Sequence, residues 1–179
     1  MDDISFDFET LSLDRDACIL SLGAVRFDRN TGALGSRFYG VAEIQGQPGA
    51  VIDASTVEWW MGQSEEARQG IFGKGVSRVP LATLLRSFAD FSEGATYLWS
   101  AGAKDAEWLD SAFKRCDVPN PWFYWQFCDQ RTVRNLFSAY IFPADPTKSV
   151  AHNALADAER QAVQLGDIFK ASRESGLVV

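Results

Sequence analysis

Three apolar stretches near the amino terminus constrain the fold of this chain more than any other feature. Residues 4–8, 18–27 and 37–44 carry Ile, Val, Leu and Phe at near-alternating positions, the period of a strand whose side chains point in turn to opposite faces of a sheet. Between the second and third stretches, Asp28-Arg29-Asn30-Thr31-Gly32 has the chemistry of a hairpin turn, because Asn and Gly accept the positive φ that such turns require. The chain is therefore expected to open with an antiparallel meander.

The pattern then changes period. After a loop at 46–49, Ser55 and Thr56 offer an N-cap to a helix over 57–63, and Ser64-Glu65-Glu66 starts another short one. Leu84, Leu85, Phe88 and Phe91 recur at helical spacing behind Pro80, a residue suited to a first turn. An apolar run at 95–99 fits a buried strand, and 104–116 reads as a helix with Trp108 and Phe113 among its apolar positions, ended by Pro119 and Pro121. The last strong element spans 154–171, with Leu155, Val163, Leu165, Ile168 and Phe169 as its core face. The order β-β-β-α-β-α predicts an α/β fold, a mixed sheet with an antiparallel N-terminal meander flanked by helices. No linker divides the chain, so residues 1–179 are expected to form a single domain.

Seventeen Lys and Arg against 24 Asp and Glu give a formal charge of −7, which at first argues against a nucleic-acid partner, since polyanions favour basic surfaces. No run of 18 apolar residues is present and Met1-Asp2-Asp3 is acidic, so the expectation is a cytoplasmic protein with no membrane partner. Cys18, Cys116 and Cys128 lack paired spacing and read as small buried hydrophobes.

Three short segments carry chemistry. In Asp7-Phe8-Glu9-Thr10, Asp7 and Glu9 lie two residues apart on a strand, so both carboxylates leave the same face and repel unless a cation lies between them; hard oxygen donors of this kind suit Mg²⁺ or Mn²⁺. Asp105 follows a buried strand and a Gly-containing loop and opens a helix, a place where α/β sheets present ligands. His152, the only histidine, stands five residues before Asp157 at the head of the last helix; histidine takes protons near neutral pH, and the small residues Ala151, Ala154 and Ala156 leave room for close packing or a ligand. Taken singly, each segment is ordinary: a solvated strand end, a helix cap, a lone surface or core histidine.

Together, in chain order, Asp7-Phe8-Glu9, Asp105 and His152-x₄-Asp157 resemble the three motifs of the DEDD exonuclease superfamily in its DEDDh (DnaQ-like) branch. The match runs from Ile4 to about Leu165. Finer features are similar to the phage and bacterial exodeoxyribonuclease VIII-like group: residues 19–25 with the Thr31-Gly32 turn, Thr56-Val57-Glu58-Trp59-Trp60-Met61, Asp129-Gln130-Arg131-Thr132 and Ala151-His152-Asn153-Ala154-Leu155. One departure is the central motif, where Ser100-Ala101-Gly102-Ala103-Lys104-Asp105 stands in place of an Asn-Gly pair ahead of Phe-Asp.

The resemblance implies an RNase H-like fold and a 3′-5′ exonuclease. Asp7, Glu9, Asp105 and Asp157 would hold two divalent cations, Mg²⁺ or Mn²⁺, with His152 as general base, and nucleoside 5′-monophosphates would leave single-stranded DNA or RNA from a free 3′ end. Phe8, Thr10 and Leu11 would lie beside the terminal nucleotide. Lys104 and Arg131 are candidate phosphate contacts from their charge, although isolated cations are more often solvated surface. Core packing or a subunit interface is expected of Trp59 and Trp60, and a buried strand or dimer surface of residues 122–127, ahead of stacking on bases; this aromatic surplus permits a homodimer. The rival readings are an oligonucleotide-specific phosphodiesterase and a non-catalytic nucleic-acid-binding module of the same fold.

Overall fold

A computed structural model describes residues 1–138 and 152–176. Its strands are β1 (Asp3–Thr10), β2 (Ile19–Phe27), β3 (Leu34–Ala42), β4 (Arg78–Val79), β5 (Tyr97–Ser100) and β6 (Phe127–Asp129). Its helices are α1 (Ala54–Met61), α2 (Glu65–Phe72), α3 (Leu81–Phe91), α4 (Ala103–Arg115), α5 (Gln130–Leu136) and α6 (Ala154–Glu174). The expected meander is present: β1 pairs antiparallel with β2, and β2 with β3. β5 then joins β1 in parallel and β6 joins β5 in parallel, giving the spatial order β4-β3-β2-β1-β5-β6. β1 is thus central, and the carboxyl ends of β1, β5 and β6 lie along one edge of the sheet, where such folds present ligands.

Helices cover both faces. Ile4, Phe6 and Phe8 of β1 pack with Leu84, Leu85 and Phe88 of α3 and with Leu109 and Phe113 of α4 in one apolar cluster. On the other face, Val25, Phe27 and Trp99 meet Ala162, Leu165 and Phe169 of α6. A third cluster beyond the end of β1 joins Leu11, Cys18 and Leu20 to Trp60, Ala67 and Ile71 of α1 and α2. Each fully buried large side chain contributes about 1.5–3 kcal/mol, so these clusters fix where the helix ends stand.

Two glycines allow α6 to lie directly on the sheet. Gly23 faces Asp7 in the β1–β2 register, and a Cβ there would stand 2.1 Å from the backbone N of Leu155. A Cβ on Gly166, within α6, would stand 2.6 Å from the Cα of Gly32 in the β2–β3 turn. The head of α6 is therefore held against the strand that pairs with Asp7. Ala154 is buried at that contact, whereas Ala151 lies outside the described residues.

The sequence expectation differs from the structure at several points. The cap of α1 is Asp53, whose carboxylate accepts from the Thr56 N–H at 3.1 Å, with Ser55 bonded to that same carboxylate; an ionised side chain two positions before Ser55 wins the free N–H groups. Ser64 caps α2 as expected, accepting from Ala67 N. β4 and α5 were not expected, because elements of two and seven residues are too short to show a period. Among the described residues no helix is long and apolar enough to cross a membrane.

Candidate active site

The site assembles at the carboxyl edge of the sheet. β1 delivers Asp7 and Glu9, with the odd-numbered residues of that strand turned toward α6: Ser5 Oγ donates to Gln161 Oε1 at 3.5 Å and Gln161 Nε2 donates to Asp7 Oδ1 at 2.8 Å. β5 ends at Ser100, whose hydroxyl donates to Gly102 O at 2.8 Å; Gly102 is the N-cap of α4 and Asp105 stands in its first turn. The Phe8 N–H donates to Asp105 Oδ1 at 3.2 Å, tying the central motif to the backbone of the first. Asn153 caps α6 by accepting from Ala156 N, which sets Asp157 in the first helical turn. His152, immediately before that cap, has φ of 62°, the left-handed region that costs a non-glycine residue strain.

A cavity of about 530 Å³ brings these residues together: Asp7, Glu9, Asp105, His152 and Asp157 all line it. Glu9, His152 and Asp157 each offer a ligand atom, and the three atoms lie within 4.8 Å of one another. Glu9, Asp105 and Asp157 are each less than a tenth exposed. Arg160 forms an ion pair with Asp157, and among the described residues no ion pair reaches Asp7, Glu9 or Asp105.

Burial without matching cations has the expected electrostatic result. Desolvation, then the charges of Asp105, Glu9 and Asp157, pushes the Asp7 carboxyl well above the usual carboxylate range, against a smaller opposing pull from Gln161. Glu9 is raised to about 8 by burial and by the charges of Asp157 and Asp105. Asp105 is raised to about 7 by burial, with the Phe8 N–H and Arg131 pulling the other way. Several carboxylates confined to one cavity need either protons or multivalent cations, and an all-oxygen donor set with one imidazole suits hard divalent ions. The residues present fit such ions.

A second cavity, of about 450 Å³, shares Phe8, Glu9 and Trp108 with the first and is walled by Thr10, Leu13, Ser55, Thr56, Trp59 and Trp60. Of the residues expected beside the terminal nucleotide, Phe8 and Thr10 line it, and the Thr10 hydroxyl donates to Ser12 O at 2.7 Å. Leu11 lines neither cavity: it is buried among Cys18, Leu20 and Trp60, because β1 ends at Thr10 and the next side chain turns into the helical cluster. Lys104 lines the carboxylate cavity, with its ammonium 2.6 Å from Glu107 Oε2.

The adjacent tryptophans separate as residues about 100° apart on a helix must. Trp60 is core, its Nε1 donating to Thr10 O at 2.9 Å. Trp59 is 45% exposed and sets its ring edge-on to His152, centroids 4.6 Å apart, so it borders the site instead of packing inside the core. In the aromatic run 122–127, Trp122 is buried while Phe123, Tyr124 and Trp125 are exposed around a 3-10 turn at Tyr124–Gln126; the expected buried strand begins only at Phe127. Gln161 went unnoticed in the sequence. Its position four residues after Asp157 places it on the same helix face, and that spacing was the available signal.

A family model for the 3′-5′ exoribonuclease Rv2179c-like domain matches residues 2–169. The chain belongs to that family. Solved structures with the same fold include exonuclease X bound to 5′-overhanging duplex DNA (16% identity, TM-score 0.57, 98% of this chain and 94% of that one) and the nuclease domain of 3′hExo, a DEDDh family member, bound to rAMP (16%, 0.64, 98% and 92%). A zinc-bound complex of E. coli exonuclease I with single-stranded DNA aligns at 15% identity and a TM-score of 0.67, over 98% of this chain and 41% of that one. No curated protein matches the sequence. The fold is RNase H-like and is shared with that DEDDh nuclease domain, and membership of the family makes the chain a 3′-5′ exonuclease, a hydrolase acting on nucleic acid.

Proposed function

We propose that this exonuclease hydrolyses the terminal phosphodiester of single-stranded nucleic acid from a free 3′ end, releasing nucleoside 5′-monophosphates, with RNA as the substrate that the family description favours. The observation that carries the reading is the convergence of Asp7, Glu9, Asp105, Asp157 and His152 on one cavity. Asp7, Glu9, Asp105 and Asp157 would hold two divalent ions, Mg²⁺ or Mn²⁺, which when bound neutralise the phosphodiester and make a water more acidic.

The chain's own residues do the rest. His152 takes the proton from the attacking water at an imidazole nitrogen as the new P–O bond forms, and the bond from phosphorus to the upstream 3′ oxygen breaks. Asp157 stands in the first turn of α6, five residues after His152, and lines the same cavity. Phe8 and Thr10, with the half-exposed Trp59, wall the neighbouring cavity against the base and sugar of the departing nucleotide. The negative balance of the whole chain fits this assignment: part of the acidity is the ion-binding cavity itself, and an enzyme that handles chain ends has no need of a long basic groove.

The test is a single-stranded RNA and a DNA of the same sequence, each labelled at the 5′ end, incubated with Mg²⁺ or Mn²⁺. Shortening one nucleotide at a time from the 3′ end, with nucleoside 5′-monophosphate as product and a loss of about a hundredfold or more in His152→Ala, is the expected result. No shortening of either polymer in either metal would overturn the proposal.

A further inference from the structure

The cavity that holds the carboxylates extends past them. Its lining also takes in Ala101, Gly102, Ala103 and Lys104 after β5, and Asp129 and Arg131 at the end of β6 and the start of α5. Ala101, Gly102 and Ala103 carry at most a methyl group, so little side chain separates the backbone there from the cavity.

The two cations in this lining differ. Lys104 is held by Glu107, whereas Arg131 makes no hydrogen bond or ion pair among the described residues. The guanidinium of Arg131 nevertheless has a defined place: its Cζ lies 3.6 Å from where a Cβ on Gly102 would stand. Its helix is fixed as well. Gln130, the first residue of α5 and 1% exposed, donates to Gln161 O at 3.0 Å and to Gln164 Oε1 at 3.3 Å. Arg131 is thereby tied through α5 to α6, the helix that carries Asp157.

Across this edge, in the strand order β1-β5-β6, lie the aromatic cavity around Phe8, Thr10 and Trp59, the carboxylates, and the exposed Arg131 at the start of α5. A nucleic-acid 3′ end presents groups in matching order, namely a base and sugar, the scissile phosphate, and the next phosphate upstream. An unpaired guanidinium at the third place suits a phosphate, which it can engage through two parallel N–H donors.

We infer that Arg131 grips the phosphate one nucleotide upstream of the scissile bond, so that the substrate class of this chain is oligonucleotides carrying that second phosphate, in preference to dinucleoside monophosphates that lack it. The inference rests on the exonuclease reading above and adds a length and end-group requirement to it. A 5′-phosphorylated dinucleotide is the shortest molecule that satisfies both.

The test compares pUpU with UpU, in Mn²⁺, for the wild-type chain, Arg131→Ala and Arg131→Lys. In the wild type kcat/KM for pUpU should exceed that for UpU about tenfold, the value of one good charge-assisted phosphate contact, and the preference should lie in KM. R131A should bring the ratio to about one, and R131K should restore part of it, because Lys keeps the charge and loses the paired donors. Thermal unfolding of each variant separates loss of the contact from loss of the fold. A pUpU preference that survives in R131A, or a wild type that cleaves both dinucleotides equally, would overturn the inference. Failure of the exonuclease reading looks different: the wild type then cleaves neither dinucleotide nor longer chains, and the Arg131 inference falls with it.

Discussion

On one face of β1, Ile4, Phe6 and Phe8 are buried among the apolar side chains of α3 and α4. On the other, Ser5, Asp7 and Glu9 are turned toward α6 and shielded from solvent almost as fully, with Gln161 as the hydrogen-bonding partner of the first two. One strand thus presents two buried surfaces built on opposite principles. The apolar face gains free energy from leaving water. The carboxylate face loses it, since charges are desolvated and placed beside like charges, and it persists because the apolar clusters around it determine where every backbone segment lies. Strain stored in the second surface is what a divalent cation can relieve.

The comparison can be broken most severely at the carboxylates. Asp7→Asn should lower exonuclease activity about a thousandfold or more, while raising the midpoint of metal-free unfolding at pH 8, because the neutral amide removes a buried charge that its neighbours repel. Activity and unfolding measured on the same preparation check both halves; a destabilised N variant would place Asp7 among ordinary structural polar residues. Phe6→Ala is the counterpart on the apolar face. It should cost about 3–5 kcal/mol of stability in chemical denaturation and leave activity per folded molecule near that of the wild type, provided that the remaining fold is populated at the assay temperature.

Gly23→Ala probes the seam between the two surfaces. The added Cβ would stand 2.1 Å from Leu155 N, so the head of α6 must shift, and a displacement of about 1 Å of His152 and Asp157 is worth about a hundredfold in turnover. Assays at saturating substrate read this as a fall in kcat. The smallest effect is expected from Gln161→Met, which keeps the volume and deletes the hydrogen bond to Asp7. It should weaken Mn²⁺ binding about tenfold, measured by titration of thermal stability, and an unchanged affinity would show that Asp7 is positioned without its help.

How much of this was legible in the sequence follows from which interactions are local. The Asp7-x-Glu9 alternation and the His152-x₄-Asp157 step are properties of a single strand and of one helix head, so spacing put each pair on a common element, while their union into one site came from the resemblance to the DEDD motifs; the apolar periods gave the meander and the long helices. What escaped depends on crossings. Gln161 acquires its partner only because α6 lies over β1, and Trp59 meets His152 only because α1 returns to the site. Leu11 shows the converse: adjacent in sequence to Thr10, it turns away from the cavity once β1 has ended. The exposed trio Phe123, Tyr124 and Trp125 was unreadable for a related reason, since an aromatic run looks the same whether it enters a strand or flanks a 3-10 turn.

The central claim is that the carboxylate face is built for cations and is under electrostatic strain without them, and thermal unfolding as a function of pH tests it most directly. Glu9 rises from an ordinary value of 4.5 to about 8, Asp105 from 3.8 to about 7, and Asp7 also lies well above its usual range. The folded state therefore binds more protons than the unfolded state between these limits, and stability falls as pH rises through them. In a chelator the midpoint should decline steadily from about pH 5 to pH 8.5, millimolar Mn²⁺ should recover most of the loss at the upper end, and D7N should flatten both responses. A metal-free midpoint that is level or rising across this range, with no response to Mn²⁺, would contradict the account.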